Sequence, residues 1–539
     1  MLIKTNINNF LTDIPESQKG YGVIIGNFDG VHIGHEYLLK GFKEKCKKEG
    51  VDSLLVTLSP HPYLYFNHNQ PFLLMSEKEK LLKLESYDLS CVVCLSFDSS
   101  LQKMNSEKFL ENFLLKIPKL KLIYLGHDFK LGSGKEESKG HLEKLAKSLE
   151  KNISIYHTTP YCYEQEIVSS SRIRKLYGND IEQAAKLLGE NVSIEGQVVP
   201  GKSIGKKELV PTANIAIDST LMVPKEGVYI TEVIIDNDKF SSVTNIGFNP
   251  TIALDNKKTI ETHIFFFNKE IYNKKIKLVF IKKIRNEKKF NDLDELKKQI
   301  SKDIECAQQY FRKNSSIRLA LIGRNISHSR SAMIYEKLLG KHIHYKLIDC
   351  VSAKEIPTIK FLKENYQGVS ITSPYKKFFL DKVELEPKNL DSINTLCFST
   401  DKVYGKNTDI FAIRKILQEY LAKGVERVFI LGDGAMSNVL QDECTHHQLK
   451  FEVFSRRKNN LKQDSQLLIP DINNGDLVVN TCAREYIYNG PVEGKFYFWD
   501  MNYDLKAHEN LFGHTDVEYK DGLYQLELQA KYALSFWNL

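Results

Sequence analysis

Gly22-Val23-Ile24-Ile25-Gly26-Asn27-Phe28-Asp29-Gly30-Val31-His32-Ile33-Gly34-His35 is the stretch on which the fold turns. Its apolar start reads as a buried strand, and the spacing from His35 to Lys48 reads as the helix that follows. The glycines between them let backbone approach a ligand closely, and the helix N-terminus offers free N–H groups to phosphate. His32 and His35, three apart, share one face of a helical turn. Two imidazoles there suit donation to a phosphorus centre gaining negative charge. In isolation the same residues also fit a plain helix start or a metal pair.

Outward from this stretch the alternation repeats. Ser53 to Thr57 reads as a strand, Glu77 to Tyr87 as a helix, Leu120 to Leu125 as a strand and His141 to Leu149 as a helix. Such alternation predicts a parallel sheet wrapped by helices. Gly178 to Leu188 reads as a short helix at a hinge. From Val192 to Ile284 the pattern changes to six β-rich segments, roughly 192–199, 213–217, 228–235, 241–248, 260–267 and 275–284. With no room for crossover helices, they predict a small antiparallel barrel. A charged helix follows over Asp292–Phe311, then the polar break Lys313-Asn314-Ser315-Ser316, after which βα alternation returns to Leu539.

Composition narrows the class. The chain has 539 residues, and about 150 residues per domain predicts three or four domains. A net charge of +7 is small for this length and argues against nucleic-acid binding. No apolar run approaches the ~18 residues of a membrane span, and the first residues lack a secretory pattern. Nine scattered cysteines fit a reducing cytoplasm. Cys91 and Cys94 read as core thiols, and His446-His447 as surface residues.

The first region resembles the nucleotidyltransferase part of prokaryotic bifunctional riboflavin kinase/FMN adenylyltransferases. Besides the His32–His35 loop, the similar segments are Thr57-Leu58-Ser59-Pro60-His61-Pro62, Gly126-His127-Asp128-Phe129-Lys130-Leu131-Gly132 and Val168-Ser169-Ser170-Ser171-Arg172-Ile173-Arg174. The resemblance implies that FMN attacks the α-phosphorus of ATP, giving FAD and pyrophosphate without a protein nucleophile. It implies that Gly26, Phe28, Asp29, Gly30, His32 and His35 bind ATP, with both histidines catalytic. Ser170, Ser171 and Arg174 are implied to hold the departing pyrophosphate.

In the second region Thr212 and Asn214, two apart on an extended chain, project to one side. Both offer oxygen to Mg²⁺, although a plain strand start after a Pro turn fits too. Pro211-Thr212-Ala213-Asn214 resembles the riboflavin kinase signature, as do Asn245 to Thr251, Glu261-Thr262-His263 and Ile284 to Phe290. The resemblance implies that Thr212 and Asn214 ligate the Mg²⁺ that accompanies ATP, that Gly205 lies in the ATP loop, and that Glu261 is general base for the riboflavin hydroxyl. Leu209 and Asn273 stand where that family commonly has glycine.

In the third region Gly432-Asp433-Gly434-Ala435-Met436-Ser437 follows a strand and opens a helix, a dinucleotide turn with Ser in place of the third Gly. Arg456 and Arg457, about 20 residues on, favour NADP(H) through its 2′-phosphate. This region resembles shikimate dehydrogenase through Ile326 to Ser331, Gly368 to Lys376, Ile393-Asn394-Thr395, Asn407-Thr408-Asp409 and Gln529-Ala530. The resemblance implies a catalytic pair, Lys376 and Asp409, with Ser329, Ser331, Thr372, Asn394 and Gln529 on shikimate. It implies dinucleotide contacts at Gly432, Gly434, Ala435, Ser437, Arg456 and Arg457. Ser370 replaces an Asn of the family pattern, and Ile410 a Gly. A binding module without turnover is the competing reading of this region.

The expected architecture is therefore multidomain: a Rossmann-like nucleotidyltransferase α/β domain over 1–187, a six-stranded antiparallel kinase barrel over 188–313, and a two-lobed α/β dehydrogenase. Its catalytic lobe is 317–412, completed by 520–539, and its Rossmann NADP-binding lobe is 413–519. The expected partners are small molecules, namely riboflavin, FMN, ATP, and shikimate or 3-dehydroshikimate.

Overall fold

The computed structural model describes residues 1–68, 70–104, 108, 109, 111, 113–127, 153–201, 210–248, 258–290, 292–388, 390–399, 401–455, 472–482, 486–503 and 505–539. It forms two compact units, Met1–Ala307 and Gln308–Leu539. Among the described residues no helix is long and apolar enough to cross a membrane.

The first unit begins with β1 (Leu2–Thr5), β2 (Tyr21–Ile25), β3 (Asp52–Ser59), β4 (Cys91–Ser96), β5 (Leu120–Leu125) and β6 (Ser154–His157), ordered β1-β4-β3-β2-β5-β6. Every pairing is parallel. The inner strands are apolar on both faces because helices cover both. Cys91 and Cys94 are buried there. The longer helices are α1 (Ile33–Glu49), α2 (Glu77–Glu85), α3 (Ser170–Tyr177) and α4 (Ile181–Leu188). The expected helix over 178–188 starts later, because Gly178 ends α3 and the Asp180 side chain caps α4 by accepting from the Gln183 N–H. The expected helix over 141–149 lies outside the described residues.

The barrel consists of β7 (Ser193–Val199), β8 (Ala213–Ile217), β9 (Gly227–Ile235), β10 (Asp238–Phe248), β11 (Lys258–Ile264) and β12 (Lys275–Arg285). It closes antiparallel in the order β8-β11-β10-β9-β12-β7. The segment expected to run to 267 stops at Ile264, and Phe266 takes a left-handed φ of 57°. Apolar residues fill most of the bore, among them Tyr229, Ile246, Ile260 and Phe280. A run of hydroxyls crosses it as well: Thr262 contacts Thr244 at 2.9 Å, Thr244 contacts Thr231 at 2.7 Å, and Thr231 contacts Ser242 at 2.7 Å. Ser242 in turn donates to the Thr231 carbonyl at 2.9 Å. α5 (Leu293–Lys313) follows, held to the barrel by the Arg285–Asp303 ion pair.

The second unit contains two sheets. The first comprises β13 (Arg318–Gly323), β14 (His344–Asp349), β15 (Gly368–Ile371), β16 (Glu384–Leu385), β17 (Thr395–Phe398) and β18 (Val403–Lys406), ordered β14-β13-β15-β17-β18-β16. The second comprises β19 (Arg427–Leu431), β20 (Lys450–Phe454), β21 (Leu477–Asn480), β22 (Tyr497–Asp500) and β23 (Glu518–Lys520), parallel throughout in the order β20-β19-β21-β22-β23. Its principal helices are α6 (Ser331–Leu339), α7 (Thr408–Ala422), α8 (Ala435–His446), α9 (Lys506–Phe512) and α10 (Leu523–Phe536).

The chain's last turn locks α10 onto the first of these sheets. Trp537 is 5 % exposed, and its indole N–H donates to the Leu396 carbonyl at 2.8 Å. The ring lies so close to Gly368 that a Cβ there would come within 2.2 Å of it. Trp537→Ala should therefore lower the stability of this unit by about 3–5 kcal/mol, read as a fall in its urea midpoint. An unchanged midpoint would show that α10 is held by other contacts.

Candidate active sites

The first site forms where β2 passes into α1. Phe28, Gly30 and Val31 all take left-handed φ, at 50°, 82° and 35°, so the loop turns sharply. The Asp29 carboxylate is 3 % exposed, accepts the Leu74 N–H at 3.1 Å and pairs with Arg174 Nη2. Burial pushes the Asp29 carboxyl above its usual range, and Arg174 offsets part of that rise. Arg174 also donates through Nε to the Phe72 carbonyl at 2.9 Å and lies 3.7 Å over the Phe72 ring. Ser170 Oγ donates to the Asp29 carbonyl at 2.9 Å.

His32 caps α1: its Nδ1 accepts the His35 N–H at 3.3 Å, which leaves the ring proton on Nε2. The two rings stack with centroids 3.7 Å apart. Burial drives the His32 imidazole down to about 3 and His35 well below its ordinary value. Both are neutral, and His35 Nδ1 is buried without a partner. A cavity of about 680 Å³ gathers Gly26, Phe28, Asp29, His32, His35, Ser170, Ser171 and Arg174. Gly30 makes the turn itself, where a Cβ would come within 2.9 Å of Leu74. Asp128 to Gly132 lie outside the described residues.

Two further residues bear on this site: His61, which falls within the Thr57 to Pro62 motif without an assigned role, and Lys80, behind the cavity wall. His61 lines the cavity, accepts the Tyr63 N–H through Nδ1, and is lowered to about 4 by burial. Lys80 is 7 % exposed and donates to the Thr57 hydroxyl and the Leu58 carbonyl at 3.2 and 3.1 Å. Its burial lowers the ammonium from its ordinary value. The available signal was spacing: Lys80 shares a helix face with Leu84, a lysine inside an apolar stripe.

In the barrel, register does what spacing could not. Asn214 on β8 and Asn245 on β10 both stand directly opposite Glu261 on β11, and opposed residues share a face. Ile260, Thr262 and Ile264 are buried in the bore, so this row of three lies on the outer face. Burial raises the Glu261 carboxyl. Pro211 is tied to β11 by a 2.8 Å contact between its carbonyl and His263 Nδ1. Gly201 packs against Asn214 so closely that a Cβ would come within 2.2 Å of its amide. A hydroxyl at Thr212, an amide oxygen at Asn214 and this close glycine turn fit a small oxygen-seeking cation. Asn273 adopts φ 63°, the left-handed conformation that asparagine tolerates in place of glycine. Gly205, Leu209 and Asn249 to Thr251 lie outside the described residues.

The third site lies in the second unit. Lys376 Nζ meets Asp409 Oδ2 at 2.6 Å, and Asp409 is 4 % exposed in the first turn of α7. Asn407 caps that helix, accepting the Asp409 N–H. Asn394 Oδ1 accepts the Thr408 N–H at 2.8 Å. Ser329 Oγ donates to Ser331 Oγ at 3.1 Å. A cavity of about 440 Å³ brings together Ser329, Ser331, Thr372, Lys376, Asn394, Asp409 and Gln529. Ser370 contacts the Tyr335 hydroxyl at 3.0 Å, so a phenol reaches the shortened side chain at the substituted position. Ile410, the other substituted position, lies half-buried within the first turn of α7. Tyr335 and Gln525 also line the cavity. Each lies one helical turn from a residue the motifs had marked, Ser331 and Gln529, and that spacing was the missed signal.

Beside it, Gly432 takes φ 104°, where a Cβ would come within 2.7 Å of Thr481 Oγ1. Gly434 caps α8 and leaves open space, and Ala435 begins the helix. Ser437 is fully buried and accepts from Gln441 Nε2 at 3.1 Å, so a hydroxyl is accommodated at the third-glycine position. An open turn with free helix N–H groups fits a dinucleotide pyrophosphate. Arg456 and Arg457 lie outside the described residues.

Comparison with known proteins matches residues 188–311 to the riboflavin kinase family and 14–172 to the FAD synthetase family. The bifunctional riboflavin kinase/FMN adenylyltransferase of Buchnera aphidicola subsp. Schizaphis graminum is 36% identical over 304 residues, 56% of this chain and 96% of that one. Its Escherichia coli K12 counterpart is 34% identical over 297 residues, 54% and 94% of the two chains. Among solved structures, shikimate dehydrogenase 1 from Peptoclostridium difficile is 24% identical, with a TM-score of 0.32 over 41% of this chain and 92% of that one. At that score the likeness decides nothing about the second unit, whose chemistry is read from its own side chains.

The buried histidines set a pH dependence of stability. Unfolded imidazoles take up protons near pH 6.5, whereas His32 in the folded chain does so only near 3. Above about pH 6.5 neither state gains a proton, and below it the unfolded chain alone does. The first unit should lose about 1.4 kcal/mol per pH unit from His32 on acidification below ~6.5. Urea midpoints between about pH 7 and pH 5 measure the slope, and His32→Gln should flatten it. An equal slope in the variant would contradict the burial of a neutral His32.

Proposed function

Across residues 14–172 and 188–311 the chain belongs to the bifunctional riboflavin kinase/FMN adenylyltransferase family, and on that premise we propose a three-activity enzyme. It phosphorylates riboflavin to FMN and adenylylates FMN to FAD. In residues 317–539 it interconverts 3-dehydroshikimate and shikimate with NADP(H). The proposed boundaries are 1–187, 188–313, 317–412 with 520–539, and 413–519.

Adenylyl transfer is supported by the neutral, stacked histidines. His32, with its proton on Nε2, and His35 donate to the phosphate oxygens as charge builds at the α-phosphorus. Ser170, Ser171 and Arg174 steady the departing pyrophosphate, while Asp29 holds Arg174 in place. The FMN phosphate is the nucleophile, so positioning supplies most of the acceleration.

Riboflavin phosphorylation is supported by the row Asn214–Glu261–Asn245. Glu261 accepts the proton of the riboflavin hydroxyl as its oxygen attacks the γ-phosphorus and ADP departs. Burial makes Glu261 a stronger base than an exposed carboxylate. Thr212 and Asn214 would hold Mg²⁺, which supplies charge neutralisation on the phosphates.

The observation that carries the third activity is the 2.6 Å Lys376–Asp409 pair in a cavity walled by hydroxyls and amides. The Gly432–Ala435 turn would hold NADP(H), which would supply the hydride. The Lys376 ammonium gives its proton to the ketone oxygen as that oxygen becomes an alkoxide, and recovers one in the reverse direction. Asp409 keeps the ammonium oriented, and the serines, Thr372, Asn394 and Gln529 receive the substrate's carboxylate and hydroxyls.

Product analysis of the purified full chain tests all three. With riboflavin and Mg-ATP, Glu261→Gln should lose at least about 100-fold in FMN formation while still converting added FMN to FAD. Unimpaired FMN formation would refute the barrel assignment. With shikimate and NADP⁺, Lys376→Ala should abolish NADPH production and leave FAD synthesis intact. Binding of shikimate without turnover by the unaltered protein would make the third region a binding module.

A further inference from the structure

We infer that Gln525 is a second amide contact for the polyol substrate of the C-terminal site, its Oε1 accepting a hydrogen bond from a ring hydroxyl. The inference rests on the dehydrogenase reading above and adds a residue that no motif marks.

Gln525 is 4 % exposed on α10 and lines the Lys376–Asp409 cavity. Among the described residues of that lining, its Oε1 is the one buried side-chain oxygen or nitrogen without a hydrogen-bond partner. Other lining groups already have partners: Asn394 with Thr408, Ser329 with Ser331, Ser370 with Tyr335, Lys376 with Asp409. A buried amide oxygen is costly to leave unpaired, so a ligand donor at this position explains why a polar side chain is kept there.

The placement also names the ligand's chemistry. Gln525 and Gln529 are one turn apart on the same helix face, separated by about 6 Å along the axis. Two amides at that spacing span a six-membered ring carrying several hydroxyls. A carboxamide –NH₂ of the dinucleotide could reach the same oxygen, and kinetics separate the two.

Gln525→Met keeps the volume and removes the acceptor. With the full chain, the KM for shikimate should rise about tenfold while the KM for NADP⁺ stays within twofold. Shikimate analogues each lacking one ring hydroxyl give the decisive readout. One of them should lose about tenfold against shikimate in the unaltered protein and show no further loss in the variant. Gln525→Leu, with unfolding midpoints recorded for both variants, guards against a packing effect. An unchanged shikimate KM, a rise confined to NADP⁺, or equal losses with every analogue would each overturn the assignment. Failure of the unaltered protein to bind shikimate at all would refute the underlying reading as well.

Discussion

A carboxylate taken out of water and met there by a cation governs both α/β regions. Asp29 and Asp409 are each under 5 % exposed, and each lies in the loop or helix turn beside a cavity. Desolvating a carboxylate is costly, and a single well-placed cation offsets the cost only while its geometry holds. Arg174 does this for Asp29 and ties α3 to the loop after β2, so the walls of the first cavity share one pin. Lys376 does it for Asp409, and both line the cavity of the third site. Both pairs lie in a cavity lining, and the first joins two of its walls.

The barrel is organised differently. On its outer face three strands bring Asn214, Glu261 and Asn245 into one row, and its bore is closed by packing. That row depends on register: a slip of one residue between β8 and β11 would turn Asn214 away from Glu261.

Much of this was legible in the sequence, for reasons that differ by region. The strand–loop–helix around Gly26 to His35 declares itself through apolar runs and glycines, and Thr212, Asn214, Glu261, Lys376 and Asp409 through family motifs. What the sequence could not supply was which groups already have partners. Asp29 lines the first cavity, and its carboxylate is already held by Arg174 and Leu74. Gly30 lies so close to Leu74 that a side chain there would crowd it. Lys80, Tyr335 and Gln525 carry only helical spacing as a signal, because what gives each its place is the set of groups that the fold packs around it. β1 also escaped notice, because a four-residue edge strand carries little periodicity and owes its place to pairing with β4.

The hydroxyls crossing the barrel have a further property. Ser242 commits its single hydrogen to the Thr231 carbonyl, so Thr231 must donate to Ser242, Thr244 to Thr231 and Thr262 to Thr244. Only one proton order satisfies the whole array, and its four O–H dipoles polarise one another in series. The barrel interior thus carries a built-in polarity running from β11 to β10, frozen by one carbonyl, and every member would feel the loss of any other.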